Sequence, residues 1–131
     1  MNSSNPVTII AVRDVSKTSK LFSTLFNWKS THGGNEFDIL VDENNIPSLL
    51  IHDFNTDEHR RFKGLNRRLG VGLSIYVFVD DIDSIYKKVK RKKLEIIEPL
   101  LLNDNSQARE FTFKISEGYQ FSVCDSSHWL F

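Results

Sequence analysis

The chain writes one short pattern twice. Residues 7–22 read VTIIAVRDVSKTSKLF and residues 73–89 read LSIYVFVDDIDSIYKKV: alternating apolar residues, then aspartate, then an apolar series at helical spacing. In the first copy Thr8, Ile10 and Val12 alternate with Val7, Ile9 and Ala11, which predicts a strand largely apolar on both faces. Asp14 can accept hydrogen bonds from the free amides of a helix start, and Val15, Thr18, Phe22, Leu25 and Phe26 recur at helical spacing over about three turns. Asn27 follows, where a residue that tolerates the left-handed conformation ends a helix. A shift of 67 residues carries Val12 to Val79 and Asp14 to Asp81, and Ile82, Ile85, Tyr86 and Val89 mark the second helix.

Each copy is followed by further strand signals. After the first come a short strand around Trp28 to Thr31, then EFDILV (36–41) and PSLLIHDF (47–54), separated by the turn-forming DENN. After the second come LEIIEPL (94–100), EFTFKI (110–115) and YQFSVCD (119–125), with a turn at Glu117-Gly118. The shift between Asp53 and Asp125 is 72 residues, so the second copy is longer by about five. The order predicts an α+β domain of two tandem βαβββ modules, 7–54 and 71–125, with a polar linker at 55–70 and a tail at 126–131. A four-stranded sheet covered by one helix leaves its other face bare. Two such modules, curving their bare faces together, would make a mixed sheet around a groove able to hold a ligand.

Charge narrows the partners. Lysine plus arginine equals aspartate plus glutamate at 17 each, so no global field draws the protein to nucleic acid or an anionic membrane. The basic run KKVKRKK (87–93) continues the second amphipathic helix and reads as its solvated face. Apolar runs are too short to span a bilayer, and MNSSNP lacks the regions of a signal peptide. Cys124 is the single cysteine, so intrachain disulfides and CxxC metal motifs are excluded, in keeping with a cytoplasmic address.

With the paired modules in view, residues 7–125 resemble the vicinal oxygen chelate superfamily, the glyoxalase, bleomycin-resistance and dioxygenase proteins. The resemblance lies in VRDVSKTSKLFSTLFNW, in VFVDDIDSIYKKV and in the closing QAREFTFKISEGYQFSV. There are departures: Asn27 stands where glycine is usual, Ser106-Gln107 where Trp-Gly is frequent, and Ser116 where proline precedes the turn. The resemblance implies a divalent ion in catalytic members, held by histidines and glutamates on the first and last strand of each module. Here those positions count out to Val7, Leu50, Ser74 and Ser122. A valine, a leucine and two neutral hydroxyls are a poor set for a divalent ion, so neither a metal nor another cofactor is expected. His52 would be one ligand where about three are needed.

Alternation selects the groove-facing residues. Ser74, Tyr76 and Phe78 share one face while Ile75, Val77 and Val79 turn to the helix; Glu110, Thr112 and Lys114 oppose Phe111, Phe113 and Ile115. Leu50 and His52 lie on one strand face, with Ser122 and Cys124 in the matching places of the second module. The same argument puts Asp38 and Leu40 inward. The expected ligand-facing set is therefore Asp38, Leu50, His52, Ser74, Tyr76, Phe78, Glu110, Thr112, Ser122 and Cys124, an aromatic groove with a few polar groups. For Tyr76 and Phe78, plain packing is the competing reading. No catalytic residue is assigned; a Cys124–His52 pair would need hydrogen-bond reach to do nucleophilic chemistry.

The function these residues support is a metal-independent small-molecule-binding protein of the bleomycin-resistance type. Family members of this length commonly pair, which implies a homodimer, and the apolar end Trp129, Leu130 and Phe131 could pack on a neighbouring subunit. Two alternatives stand beside it. One is a lyase, isomerase or dioxygenase with a displaced metal site using His52 with carboxylates such as Glu110 or Asp38, or a metal-free variant of such an enzyme, and the other is a dimeric interaction or regulatory module.

Overall fold

A computed structural model describes residues 6–54, 69, 70, 72–102 and 107–126. The chain divides into two compact units, residues 1–66 and 67–131. The expectations for most of the 55–70 linker, for Ser106 and for the apolar tail end fall outside the described residues.

In the first unit the order is β1 (Ile9–Val12), α1 (Val15–Phe26), β2 (Lys29–Ser30), β3 (Phe37–Val41) and β4 (Pro47–Asp53). The sheet runs β1-β4-β3-β2, with β1 parallel to β4 and the other pairs antiparallel. Asp14 Oδ1 accepts from the Lys17 amide at 2.9 Å, which satisfies a donor that the first helical turn leaves open. At the other end Asn27 takes φ 58° and its amide donates to the Ser23 carbonyl, so asparagine does the work glycine would do. Val15, Thr18, Ser19, Phe22 and Leu25 form the buried face of α1. They pack on Ile10, Val12, Leu40, Leu49 and Ile51, all essentially inaccessible.

The second unit repeats the order: β5 (Ser74–Val79), α2 (Ile82–Arg91), β6 (Glu95–Leu102), β7 (Arg109–Lys114) and β8 (Gln120–Asp125). Its sheet runs β5-β8-β7-β6, again with the first pair parallel. Asp81 Oδ1 accepts from the Ser84 amide at 3.2 Å, matching Asp14. Ile82, Ile85 and Val89 of α2 are buried, and Phe111, Phe113 and Phe121 stack in series on the same side of the sheet. The chain before β5 crosses the β7–β8 turn backbone to backbone: a Cβ at Gly70 would lie 2.8 Å from the Tyr119 Cα. Gly70 also holds φ +79°, so any side chain there is doubly opposed and the start of β5 is fixed. Among the described residues no helix is long and apolar enough to cross a membrane.

Candidate ligand face of the second module

Within the first module, register decides which side chains share a face. Asp38 lies opposite Ile51 and Leu40 opposite Leu49, on the side covered by α1; Phe37 and Ile39 lie opposite His52 and Leu50, on the other. This corrects the expected inward placement of Asp38 and Leu40. Asp38 is 2% exposed, and Ser19 of α1 donates to its Oδ2 at 2.6 Å. Ser30 donates to the same oxygen at 2.6 Å, and the amides of His32, Gly33 and Ile39 donate to Oδ1 at 3.2, 2.9 and 2.8 Å. Burial pushes this carboxyl up, but the Ser19 and Ser30 hydroxyls and the Gly33 and Ile39 amides outweigh it and hold it below its ordinary value. Asp38 and His52 thus lie on opposite faces of one sheet, and a displaced metal site using both is excluded.

His52 is buried beside Phe37, with ring centroids 5.7 Å apart, and its Nδ1 lies 3.2 Å from the Asp53 carbonyl oxygen. Leu50 is half-buried on the same face. A cavity of about 490 Å³ opens between α1 and the 30–34 segment, lined by Ser16, Ser19, Lys20, Ser23, Thr24, Ser30 and Asp38. Its polar wall is largely committed to structure. Ser19 and Ser30 donate to Asp38, and Ser23 donates to the Trp28 carbonyl at 2.6 Å.

The second module arranges its polar groups differently. Tyr76 lies beside Ser122 and Phe78 beside Cys124, while Thr112 lies opposite Ser122 and Glu110 opposite Cys124. Ser74, Tyr76, Phe78, Glu110, Thr112, Ser122 and Cys124 therefore share the face turned away from α2, as alternation predicts. Tyr76 and Phe78 remain 54% and 40% exposed, and their rings stack side by side at 6.1 Å with planes 15° apart. Cys124 is fully buried, its thiol 3.8 Å from the Asp125 carbonyl.

A row of hydrogen bonds crosses all four strands of this face. Ser74 and Ser122 hydroxyls are 2.8 Å apart, Ser122 and Thr112 2.9 Å, and Thr112 donates to Glu98 Oε1 at 3.0 Å. Glu98 is the residue that sequence reasoning missed. Strand β6 shifts register on both sides of it, between Ile96 and Glu98 and again between Glu98 and Leu101, so period-two counting through LEIIEPL loses its phase. The proline at 99 is the one local signal of that irregularity. A cavity of about 260 Å³ lies here, lined by Ile97, Glu98, Pro99, Leu101, Leu102, Glu110, Phe111 and Thr112. Burial, and then the charges of Glu110, Cys124 and Glu98, push the Tyr76 phenol above its ordinary value.

This architecture, two βαβββ modules each with a mixed four-stranded sheet, is the fold of the vicinal oxygen chelate proteins. The chain is similar to the fosfomycin resistance protein FosX of Mesorhizobium loti, with a TM-score of 0.67 at 14% identity over 95% of this chain and 93% of that one. It is also similar to FosX of Listeria monocytogenes, solved with Mn(II) and sulfate: TM-score 0.68 and 14% identity over 95% and 91% of the two chains. Hypothetical protein SA1046 of S. aureus matches with a TM-score of 0.74 at 13% identity over 93% of each chain. No protein-family model and no curated protein matches the sequence. At these identities the likeness establishes the fold alone.

The residues that the resemblance counts to metal-ligand positions are a poor set for a divalent ion. Val7 and Leu50 offer no donor atom. Ser74 and Ser122 offer neutral hydroxyls already bonded to each other, with Ser122 bonded to Thr112 as well. Such an ion would have to break that row to gain two weak ligands. Among the described residues no group of three or more His, Cys, Asp or Glu side chains could hold a metal ion.

Proposed function

We propose that this protein binds a small organic molecule on the open face of its second module, without a metal at the fold's usual ligand positions. One observation carries the reading: two neighbouring aromatic rings, Tyr76 and Phe78, are left 54% and 40% exposed on an edge strand, next to an ordered polar row. Large aromatics in a chain of this size belong in the core unless something else covers them. Polar groups fixed beside an apolar wall are the usual make-up of a site that orients an organic ligand. The experiment is a thermal unfolding scan after chelator treatment, with manganese, nickel, zinc, cobalt or iron(II), and separately with a panel of aromatic compounds. An ion bound only by the folded state at a hundredfold its Kd adds about 2.7 kcal/mol. The expected result is no shift with any ion and an upward shift with an aromatic compound, abolished in Tyr76→Ala/Phe78→Ala. A shift with an ion that disappears in Ser74→Ala or Ser122→Ala would replace this reading with a metal-dependent one.

Leu101 and Leu102 favour a second, compatible reading. They stand 64% and 56% exposed on β6, the other edge of the same sheet. Such an edge suits pairing with a second copy of the chain. Light scattering should give the mass of a dimer for the wild type and of a monomer for Leu101→Lys/Leu102→Lys; a monomeric wild type contradicts it.

A further inference from the structure

Resting on the ligand reading above, the polarity of the open face assigns the ligand's chemical class. The hydroxyl row has a direction. A carboxylate accepts and does not donate, so the Thr112 proton goes to Glu98. The Thr112 oxygen then accepts the single proton of Ser122, and the Ser122 oxygen accepts that of Ser74. Ser74 is exposed at the free end of the row, and with its proton engaged it presents lone pairs outward. The row thus ends in an acceptor, beside the two exposed rings.

Charge on the same face agrees. Glu98 stands opposite Thr112, Glu110 opposite Cys124, and Glu95 opposite Lys114, which lies across Gln120 from Ser74 on this face. Around Tyr76 the acidic groups are Glu110 and Glu98, and after burial both raise its phenol. Negative potential and exposed π faces together attract a cation on an apolar body.

We propose that the open face of the second module binds an organic ammonium ion. An N–H of a primary or secondary amine donates to Ser74 Oγ, and the positive charge lies against the Tyr76 ring in the field of Glu110 and Glu98. The planar or apolar remainder of the ligand covers Phe78. A ligand that offers only acceptors, or a carboxylate, meets lone pairs and like charge at the same place.

Three matched probes test this: 1-naphthylmethylamine, 1-naphthylmethanol and 1-naphthoate, titrated at neutral pH into the full chain while the ring resonances of Tyr76 and Phe78 are followed by NMR. The amine should bind at least tenfold more tightly than the alcohol, with the carboxylate weakest. Glu98→Gln, which removes a charge at an exposed position, should shrink the amine's advantage while leaving the alcohol's affinity in place, and Ser74→Ala should weaken both donors, the amine more. Equal binding of amine and alcohol, or tightest binding of the carboxylate, overturns the ammonium assignment and leaves the ligand face standing. No perturbation of either ring by any probe overturns both.

Discussion

In the first module Ser19 donates to a buried carboxylate, Asp38, between helix and sheet; at the corresponding place in the second, Tyr86 meets Phe111 edge to face with ring centroids 4.8 Å apart. The correspondence is set by the repeat. Ser19 and Tyr86 are related by the 67-residue shift, and Asp38 and Phe111 lie opposite Ile51 and Val123, which are related by the 72-residue shift. On the open faces the relation inverts. Ile9 and Ile39 flank Leu50 in the first module, where Tyr76 and Thr112 flank Ser122 in the second. One backbone plan therefore tolerates a polar cluster on either side of the sheet, provided every buried polar atom has a partner. What differs is availability. The first module's cluster is closed between helix and sheet, and the second's ends at an exposed hydroxyl.

The most damaging way to break this contrast is Phe111→Asp, which puts the first module's carboxylate in the second without its serines. Loss of the ring alone costs about 3–5 kcal/mol, and the buried charge lacks donors, so denaturant melts should find the second module unfolded. Asp38→Asn comes next, at about 2–4 kcal/mol, because an amide cannot accept from two hydroxyls and three backbone amides as the carboxylate does. The same residue sets a pH dependence. Its carboxyl is held below the ordinary 3.8, so its contribution is complete above that value and is lost as pH falls through the lower, folded-state value. Acid titration of wild type against Asp38→Asn should show this loss in the wild type alone.

Smaller changes sharpen the comparison. Thr112→Val interrupts the polar row and should cost about 1 kcal/mol in a denaturant melt, with the larger consequence for amine binding at Tyr76. Glu98→Gln should move the Tyr76 phenol part of the way back toward its ordinary value in an ultraviolet pH titration, burial and Glu110 sustaining the rest. Least of all is expected from Arg109→Met. The guanidinium grips Asp83 through two bonds of 3.0 and 2.7 Å at the surface, where solvent screens the pair, and its melting midpoint should barely move.

Element order was legible because the two copies corroborate each other: Asp14 and Asp81 cap the helices, and Asn27 closes the first where glycine is usual. The open face of the second module was legible as well, since strict alternation in SIYVFV and REFTFK separates Ser74, Tyr76, Phe78, Glu110 and Thr112 from Val77, Phe111 and Phe113. Alternation in FDILV says which residues share a face but not which face meets the helix, and with both phases apolar apart from one carboxylate nothing in the strand itself turns Asp38 and Leu40 toward α1. Ser19, polar on the buried stripe of α1 beside a Thr18 that bonds back to the Asp14 carbonyl, is the signal that the helix side holds a partner for Asp38. Glu98 was hidden by backbone irregularity rather than by composition.

Chemical-shift mapping of the isotope-labelled protein during titration with 1-naphthylmethylamine tests the central claim most directly. The account predicts perturbations at Ser74, Tyr76, Phe78, Glu98, Thr112 and Ser122, with the first module silent. Perturbations centred instead on Ser16, Lys20 and Ser30, around the cavity above Asp38, would contradict it and move the ligand to the first module.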